Sequence, residues 1–164
     1  MPARSGRPLS IVEVRGPAAV ATARSMMEEY ARAIRVDLCF QGFDEELRSL
    51  PGGYAPPRGR LKLALWGAVP VGCGALRPRS PRVGELKRLY VRPSHRGRGI
   101  GRALSERLLA EAVRIGYRQV VLDTLSTMEE AIGLYRSLGF VETAAYYPNP
   151  IPGARYFAWE APRG

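Results

Sequence analysis

The residues best placed to do chemistry are concentrated between Ser94 and Ala103, SHRGRGIGRA, where Gly97, Gly99 and Gly101 alternate with Arg98, Ile100 and Arg102. Glycine lets a backbone turn sharply and brings its N–H groups close to a ligand. The residues that follow have helical periodicity. The first amides of a helix lack partners inside it, and its dipole is positive at that end. Flexible backbone, free amides and the guanidinium groups of Arg96, Arg98 and Arg102 together describe an anion site, and guanidinium suits phosphate oxygens. The expected chemistry is recognition of a phosphorylated ligand.

Two familiar phosphate loops do not fit. The nucleotide-hydrolase loop needs GxxxxGK followed by Ser or Thr, and this stretch has no lysine. The dinucleotide fingerprint needs GxGxxG, and Gly97, Gly99 and Gly101 give GxGxG, one residue short. Asp123 falls about where that fold places its ribose-binding acid, yet three antiparallel-looking strands precede the loop, whereas that fold begins at its fingerprint strand. A basic turn with no ligand is the remaining alternative. Metal chemistry is not expected: Cys39 and Cys73 are far apart, no CxxC occurs and His95 is the only histidine, so neither a zinc site nor a histidine-based triad is predicted.

The net charge of +10 points to polyanionic partners: nucleic acid, an acidic membrane surface or a phosphorylated ligand. Only Lys62 and Lys87 are lysines, and so strong a preference for arginine is equally what a base-composition bias in the host genome produces. Locally the charge is more telling. From Arg77 to Arg107 there are ten basic residues against Glu85 and Glu106, so the excess surrounds the glycine loop. No recognition helix or base-stacking motif accompanies it, and a specific nucleic-acid partner is not expected. The N-terminus has no apolar signal region, and the most apolar window, Leu63 to Leu76, is broken by Gly67, Pro70, Gly72 and Gly74. We therefore expect no membrane span and a reducing cytoplasm.

At 164 residues the chain is one domain long and buries roughly 70% of its unfolded surface. Residues 1–8 read as a loose tail and 9–164 as a single domain. Leu9 to Val14 alternates as a strand. Val20, Ala23, Met27, Tyr30, Ala31 and Ile34 mark a helix between Ala18 and Val36, and Phe43 to Leu50 a second, short one. Strands follow at Leu61–Trp66, Val71–Leu76 and Glu85–Val91, with Arg77–Gly84 as a Pro- and Arg-rich connection. After the glycine loop, Ile100, Leu104, Leu108, Ala112 and Ile115 define a helix that Gly116 ends. Val120–Leu125 is a buried strand. Thr127 and Glu130 have capping-box spacing at the head of a last helix, with Ala131, Leu134 and Leu138 on its face and Gly139 closing it. Phe140–Tyr146 and Arg155–Glu160 complete the order β α α β β β α β α β β.

Arg96-Gly97-Arg98-Gly99-Ile100-Gly101 is R-x-x-G-x-G, the pyrophosphate loop of the GNAT superfamily of acetyl-CoA-dependent N-acetyltransferases. ELKRLYVRPSHRGRGIGRAL resembles that family's central strand, loop and helix, and AIGLYRSLGF, Ala131 to Phe140, resembles its A-x-x-L-Y-x-x-x-G-F signature. The two motifs stand in order at the family's spacing, and the resemblance is specific over about residues 61–145. It implies an α/β fold: a mixed sheet of six to seven strands, splayed between its two central parallel strands and flanked by four helices.

The resemblance also implies a site. Acetyl-CoA enters the splay as cosubstrate, Leu89, Tyr90 and Val91 offer backbone groups to its pantetheine arm, and the amides and side chains of Arg96, Gly97, Arg98, Gly99, Ile100, Gly101 and Arg102 hold its pyrophosphate. Thr124 and Ala131 complete the cofactor-binding set. Met128 stands where many members carry an asparagine, which leaves Thr124 or Ser126 for that contact. Glu85 takes the place of the base that deprotonates the acceptor amine, and Tyr135 that of the acid that protonates the leaving sulfur. The implied function is acetyl transfer to a primary amine of a small molecule or amino-acid-like acceptor. A protein or peptide amine, and a coenzyme A-binding module without turnover, are the alternatives. Tyr54, Tyr146, Tyr147, Asn149 and Tyr156 occupy segments that border the acceptor cleft, as do Phe40, Glu45 and Glu46. Homodimers are common in the family, and no residue here commits to one.

Overall fold

A computed structural model describes residues 8–163; the expected tail, residues 1–8, lies outside them but for Pro8. The chain forms β1 (Leu9–Glu13), α1 (Gly16–Ile34), α2 (Phe43–Ser49), β2 (Arg60–Trp66), β3 (Val69–Ser80), β4 (Val83–Val91), α3 (Ile100–Ile115), β5 (Gln119–Leu125), α4 (Glu129–Ser137), β6 (Val141–Thr143) and β7 (Ala154–Glu160), with short 3-10 turns at Cys39–Gln41, Gly52–Tyr54 and Pro93–His95. The seven strands make one mixed sheet in the order β1-β2-β3-β4-β5-β7-β6. Only β4 and β5 run parallel. Among the described residues no helix is long and apolar enough to cross a membrane.

Residue alternation divides the core between the two faces of the sheet. Leu61, Leu63, Cys73 and Ala75 pack with Ala23, Met26 and Met27 of α1 and Phe43 of α2. Leu76, Leu86, Val120, Leu122 and Phe157 pack under α3 and α4 through Leu108, Ala112, Ile132 and Tyr135. Two glycines let α3 sit close. A Cβ on Gly74 would lie 3.0 Å from Leu108 Cδ1 of α3 and one on Gly72 3.4 Å from Leu104 Cδ1, the latter also only 2.7 Å from the Tyr90 carbonyl oxygen of the neighbouring β4. The same helix is tied to β2 by Glu111, which takes Arg60 and Lys62, and Lys62 also reaches Glu13 at 2.6 Å.

Several local expectations are corrected. Arg77–Gly84 is not a free connection: β3 continues to Ser80, pairing Arg77 with Glu85, Pro78 with Gly84 and Ser80 with Val83. Pro78 is tolerated beside a register shift, where the ladder is already interrupted. The expected strand at Phe140–Tyr146 contracts to Val141–Thr143, because Tyr146 and Tyr147 leave the ladder to bond buried carboxylates. The Thr127–Glu130 capping box does not form: Met128 is the N-cap, with no side-chain bond, since the helix begins one residue later than the spacing suggests. The buried face of α4 is Ile132 and Tyr135, with Ala131, Leu134 and Leu138 half-buried at its margin.

Candidate active site

β4 and β5 pair only at Val83–Gln119, Gly84–Val120 and Glu85–Val121; beyond these residues they diverge. The divergence opens a cleft in two parts, which share Tyr30, Ile34, Leu89, Leu125 and Met128.

The larger part is an open groove with about 780 Å³ of free space, within the range of roughly 300–1,000 Å³ usual for ligand sites. Leu89, Tyr90, Val91, Arg96, Gly97, Gly99, Ile100, Gly101, Arg102 and Ala131, all among the residues that the resemblance assigns to the cofactor, line it. Gly97 and Gly99 have φ of +78° and +77°, a conformation that carries the chain from the loop into α3. The first intrahelical bond at this end is given by the Ala103 amide to the Gly99 carbonyl, at 3.0 Å. The amides of Ile100, Gly101 and Arg102 therefore have no acceptor inside the helix, and no acidic residue stands in its first turn. An anion-binding end faces the groove.

The arginines contribute unequally. Arg98 is turned away, its guanidinium 5.0 Å over the Trp66 ring, and does not line the groove. Arg96 donates to the Val91 carbonyl at 3.1 Å, and Arg102 lies between Glu106 and the Ser137 hydroxyl. His95 lines the groove with its ring edge-on to Trp66.

The smaller part, with about 40 Å³ of free space, reaches down between the strands. Tyr135 and Thr124 line it. The Tyr135 ring packs at 5.6 Å against Phe140, and among the described residues nothing accepts a hydrogen bond from its hydroxyl. Burial pushes its pKa well above that of an ordinary tyrosine, so the phenol keeps its proton. Tyr30 also lines this part and is likewise raised by burial. Thr124 gives its hydroxyl to Met128 Sδ at 3.6 Å, and Ser126 is exposed next to Gly153.

Glu85 is elsewhere. It is 1% exposed, takes Arg77 Nε at 2.8 Å and the Tyr146 hydroxyl at 2.6 Å, and is not among the residues lining either part of the cleft. The carboxylate that lines the smaller part is Asp123, facing Lys87 across the splay at 3.3 Å. The Asp123 Oδ2 receives hydrogen bonds from the Tyr147 hydroxyl and, at 3.0 Å, from Asn149 Nδ2. Burial works to raise the Asp123 pKa, but Lys87 and these donors more than offset it and hold the carboxyl below its ordinary value. Burial lowers the Lys87 pKa despite Asp123.

A bulge arranges this cluster. Arg88 has φ of +58°, and the β3–β4 register shifts beside it. Consecutive residues thereby reach groups on the same side: Lys87 meets Gln41 and Asp123, while Arg88 meets Glu46 bidentately at 2.9 and 3.0 Å over the Phe43 ring. A left-handed non-glycine residue costs roughly 1–2 kcal/mol, which the buried pair helps to offset.

Of the other residues expected near the acceptor, Tyr54 is buried in the core under α1 and α2, its hydroxyl without a partner among the described residues. Glu45 pairs with Arg48 at the surface. Tyr156 donates to the Tyr147 carbonyl and packs edge-on to Tyr146 and Tyr147. The sequence reading passed over Lys87, Arg88, Gln41 and Tyr30. One signal was available: in a chain that otherwise uses arginine, both lysines are buried, at 4% and 5% exposure, and both are ion-paired.

The "Acetyltransferase (GNAT) family" profile matches residues 24–140. The chain belongs to the GNAT acetyltransferase family. It is 38% identical over 154 residues to an uncharacterised N-acetyltransferase of Schizosaccharomyces pombe, covering 93% of this chain and 94% of that one. It is 39% identical over 71 residues, 43% of this chain and 40% of the other, to the L-methionine sulfoximine/L-methionine sulfone acetyltransferase of Salmonella typhimurium. In fold it matches a GNAT acetyltransferase from Elizabethkingia anophelis solved with acetyl-CoA bound, with a TM-score of 0.64 at 21% identity over 95% of this chain and all of the other. GNAT membership makes the protein an acyltransferase of the N-acetyltransferase type, with acetyl-CoA as cosubstrate. The residues present suit that cosubstrate: a groove of sufficient size, helix amides without acceptors inside the helix and a splay between strands lead to the Tyr135 phenol.

Proposed function

We propose that the protein transfers an acetyl group to the primary amine of a small molecule or amino-acid-like acceptor. The observation that carries this reading is the continuity of the open groove with a smaller cleft where, among the described residues, nothing accepts a hydrogen bond from the Tyr135 hydroxyl. An acceptor part closed by residues of the 39–41 turn and the 144–153 segment suits a small acceptor better than a flat protein surface. Acetyl-CoA supplies an activated thioester. The chain's residues do the rest. The helix amides hold the pyrophosphate, and the diverging β4 main chain offers N–H groups to the thioester carbonyl.

Transfer joins the acceptor nitrogen to the acetyl carbon and breaks the carbon–sulfur bond. Tyr135 gives its proton to the leaving sulfur and is restored by the second proton, which the nitrogen sheds as the amide forms. The ammonium must first lose a proton. For Glu85 to be the base, that proton has to reach it through the Tyr146 hydroxyl, which stands 2.6 Å from its carboxylate.

The test is thermal unfolding with acetyl-CoA, NADH or ATP, followed by thiol release from acetyl-CoA with a panel of amines. A ligand at 100 times its Kd stabilises by roughly 2.7 kcal/mol. A shift with acetyl-CoA alone, followed by amine-dependent thiol release, supports the reading. A shift with NADH or ATP instead refutes it, and a shift with acetyl-CoA but thiol release indifferent to amines would make the protein a coenzyme A-binding module.

A further inference from the structure

Several charged side chains are buried around the small part of the cleft, and most are committed to close partners. Arg88 and Glu46 form a bidentate pair. Glu85 is held by Arg77 and Tyr146. Lys87 and Asp123 differ. Both line the cleft, their side chains are 4% and 8% exposed, and they stand 3.3 Å apart, looser than Arg77–Glu85 at 2.8 Å or Arg88–Glu46 at 2.9 Å.

Their other partners are groups that a ligand can replace. Lys87 Nζ donates to Gln41 Oε1 at 3.3 Å. On Asp123 Oδ2 three donors converge: the Tyr147 hydroxyl, Asn149 Nδ2 at 3.0 Å and Gln41 Nε2 at 3.5 Å. These donors come from two separate segments, the 39–41 turn and the chain between β6 and β7. They close over a space of about 40 Å³, which holds only a few atoms. An acceptor must displace some of them to enter, and an ammonium brings three N–H donors of its own.

We propose that the Lys87–Asp123 pair is the acceptor-binding site and that it selects an amine with a neighbouring carboxylate, the α-amino acid class. The ammonium takes the place of Tyr147 and Asn149 on Asp123, and the carboxylate takes the place of Gln41 on Lys87. This rests on the acetyltransferase reading above.

Two physical arguments lead to it. The first is charge balance. A buried pair of opposite charges is net neutral, and a simple monoamine cation adds an uncompensated positive charge in a poorly solvated place next to Lys87. A zwitterion adds none, and it sets four charges in alternating order around the pair. The second is spacing. Bond lengths separate the nitrogen and carboxylate oxygens of an α-amino acid by roughly 3 Å, comparable to the 3.3 Å between Lys87 Nζ and Asp123 Oδ1. The same cleft holds Tyr135, so an amine anchored there lies beside the acid.

The experiment compares α-amino acids with their methyl esters and with the monoamines that lack the carboxylate. It uses thiol release from acetyl-CoA, together with thermal shift of the protein by each acceptor. The expected result is a kcat/KM at least roughly 10²-fold higher for an amino acid than for its ester, less than the roughly 10⁴–10⁵-fold by which a site built for a polar group rejects its complete absence, because the ester keeps a carbonyl acceptor and loses only the charge. Lys87→Met should bring that ratio toward one. Because Lys87→Met leaves Asp123 buried without its cation, the double variant Lys87→Gln/Asp123→Asn is measured beside it. It too should lose the distinction between acid and ester. Esters or monoamines used as well as the acids, or a ratio unchanged in both variants, overturn the assignment while leaving acetyl transfer intact. If no amine turns over, the acetyltransferase reading fails, and the thermal shift still decides the site: stabilisation by amino acids but not their esters upholds it, and none by either overturns it.

Discussion

Removing the Tyr135 hydroxyl tests the proposed chemistry separately from the fold. The residue is 7% exposed, its ring packs on Phe140, and among the described residues its hydroxyl meets no acceptor. Tyr135→Phe keeps the ring contact and orphans no partner, so the roughly 1–3 kcal/mol penalty for a stranded buried group does not arise. Stability should stay within about 0.5 kcal/mol, or about 2 °C in Tm for a chain of this size. If the phenol protonates the leaving sulfur, kcat should fall by roughly 10²-fold, or about 2.7 kcal/mol of barrier, with acetyl-CoA affinity unchanged. Two other tyrosines serve as controls. Tyr146 donates at 2.6 Å to the buried Glu85, so Tyr146→Phe should cost stability on the scale of a bond to a charged group, about 1.5–3 kcal/mol. Tyr30 lines both parts of the cleft, and Tyr30→Phe should leave kcat within a few-fold. The assay is thiol release for turnover, and urea unfolding monitored by circular dichroism for stability. Unchanged kcat in Tyr135→Phe, or an equal loss in Tyr30→Phe, refutes the assignment of the acid.

Other measurements follow from the same geometry. Glu85→Gln should abolish the ascending limb of the pH–rate profile if Glu85 receives the amine's proton through Tyr146; a surviving limb would leave it only its pair with Arg77. Arg88→Met leaves Glu46 buried and unpaired and should cost about 3–5 kcal/mol by denaturant unfolding. Gly84→Ala would put a Cβ 2.9 Å from Tyr117 Cδ2 and 3.1 Å from Leu76 Cδ1, and should cost about 1–3 kcal/mol. Stability should also fall in alkali. Tyr54, Tyr135 and Tyr146 are raised above their ordinary value of 10.0, each chiefly by burial. Above pH 10 the unfolded chain therefore releases protons that the native chain keeps, and the loss is about 1.4 kcal/mol per pH unit for each such group. Flat stability across that range would mean these phenols ionise normally in the native state.

The elements legible in the sequence are those whose pattern is local. Ile100, Leu104 and Leu108 announce α3 by spacing alone, and Gly116, at φ +107°, ends it where a left-handed residue was expected. The glycine loop was legible because its chemistry lies in adjacent residues. What escaped depends on distant partners. Arg77–Ser80 is a strand only because Val83–Glu85 folds back on it. Asp123 reads equally as a substrate group or a structural one on an inner strand, and only the fold shows Lys87, 36 positions earlier, facing it across the splay. Tyr146 reads as the end of a strand and Tyr147 as the start of a loop beside the acceptor, since nothing nearby shows that their hydroxyls go to carboxylates on β4 and β5. Glu85 was placed by its position in a motif, and only the fold reveals that Arg77 and Tyr146 enclose it.

The three-residue pairing of β4 with β5 leaves this sheet with two further edges in its middle. An outer edge strand invites pairing with another chain and is guarded by charge or by brevity. These inner edges lie beneath α1 and between the loops, where only something as narrow as an extended strand can reach them. Those amide hydrogens of β4 beyond Glu85 that face the gap rather than β3 should thus exchange with solvent well ahead of the amides of β3 in the free protein. They should slow by orders of magnitude when a slender ligand occupies the gap, which would then act as a temporary strand of the sheet.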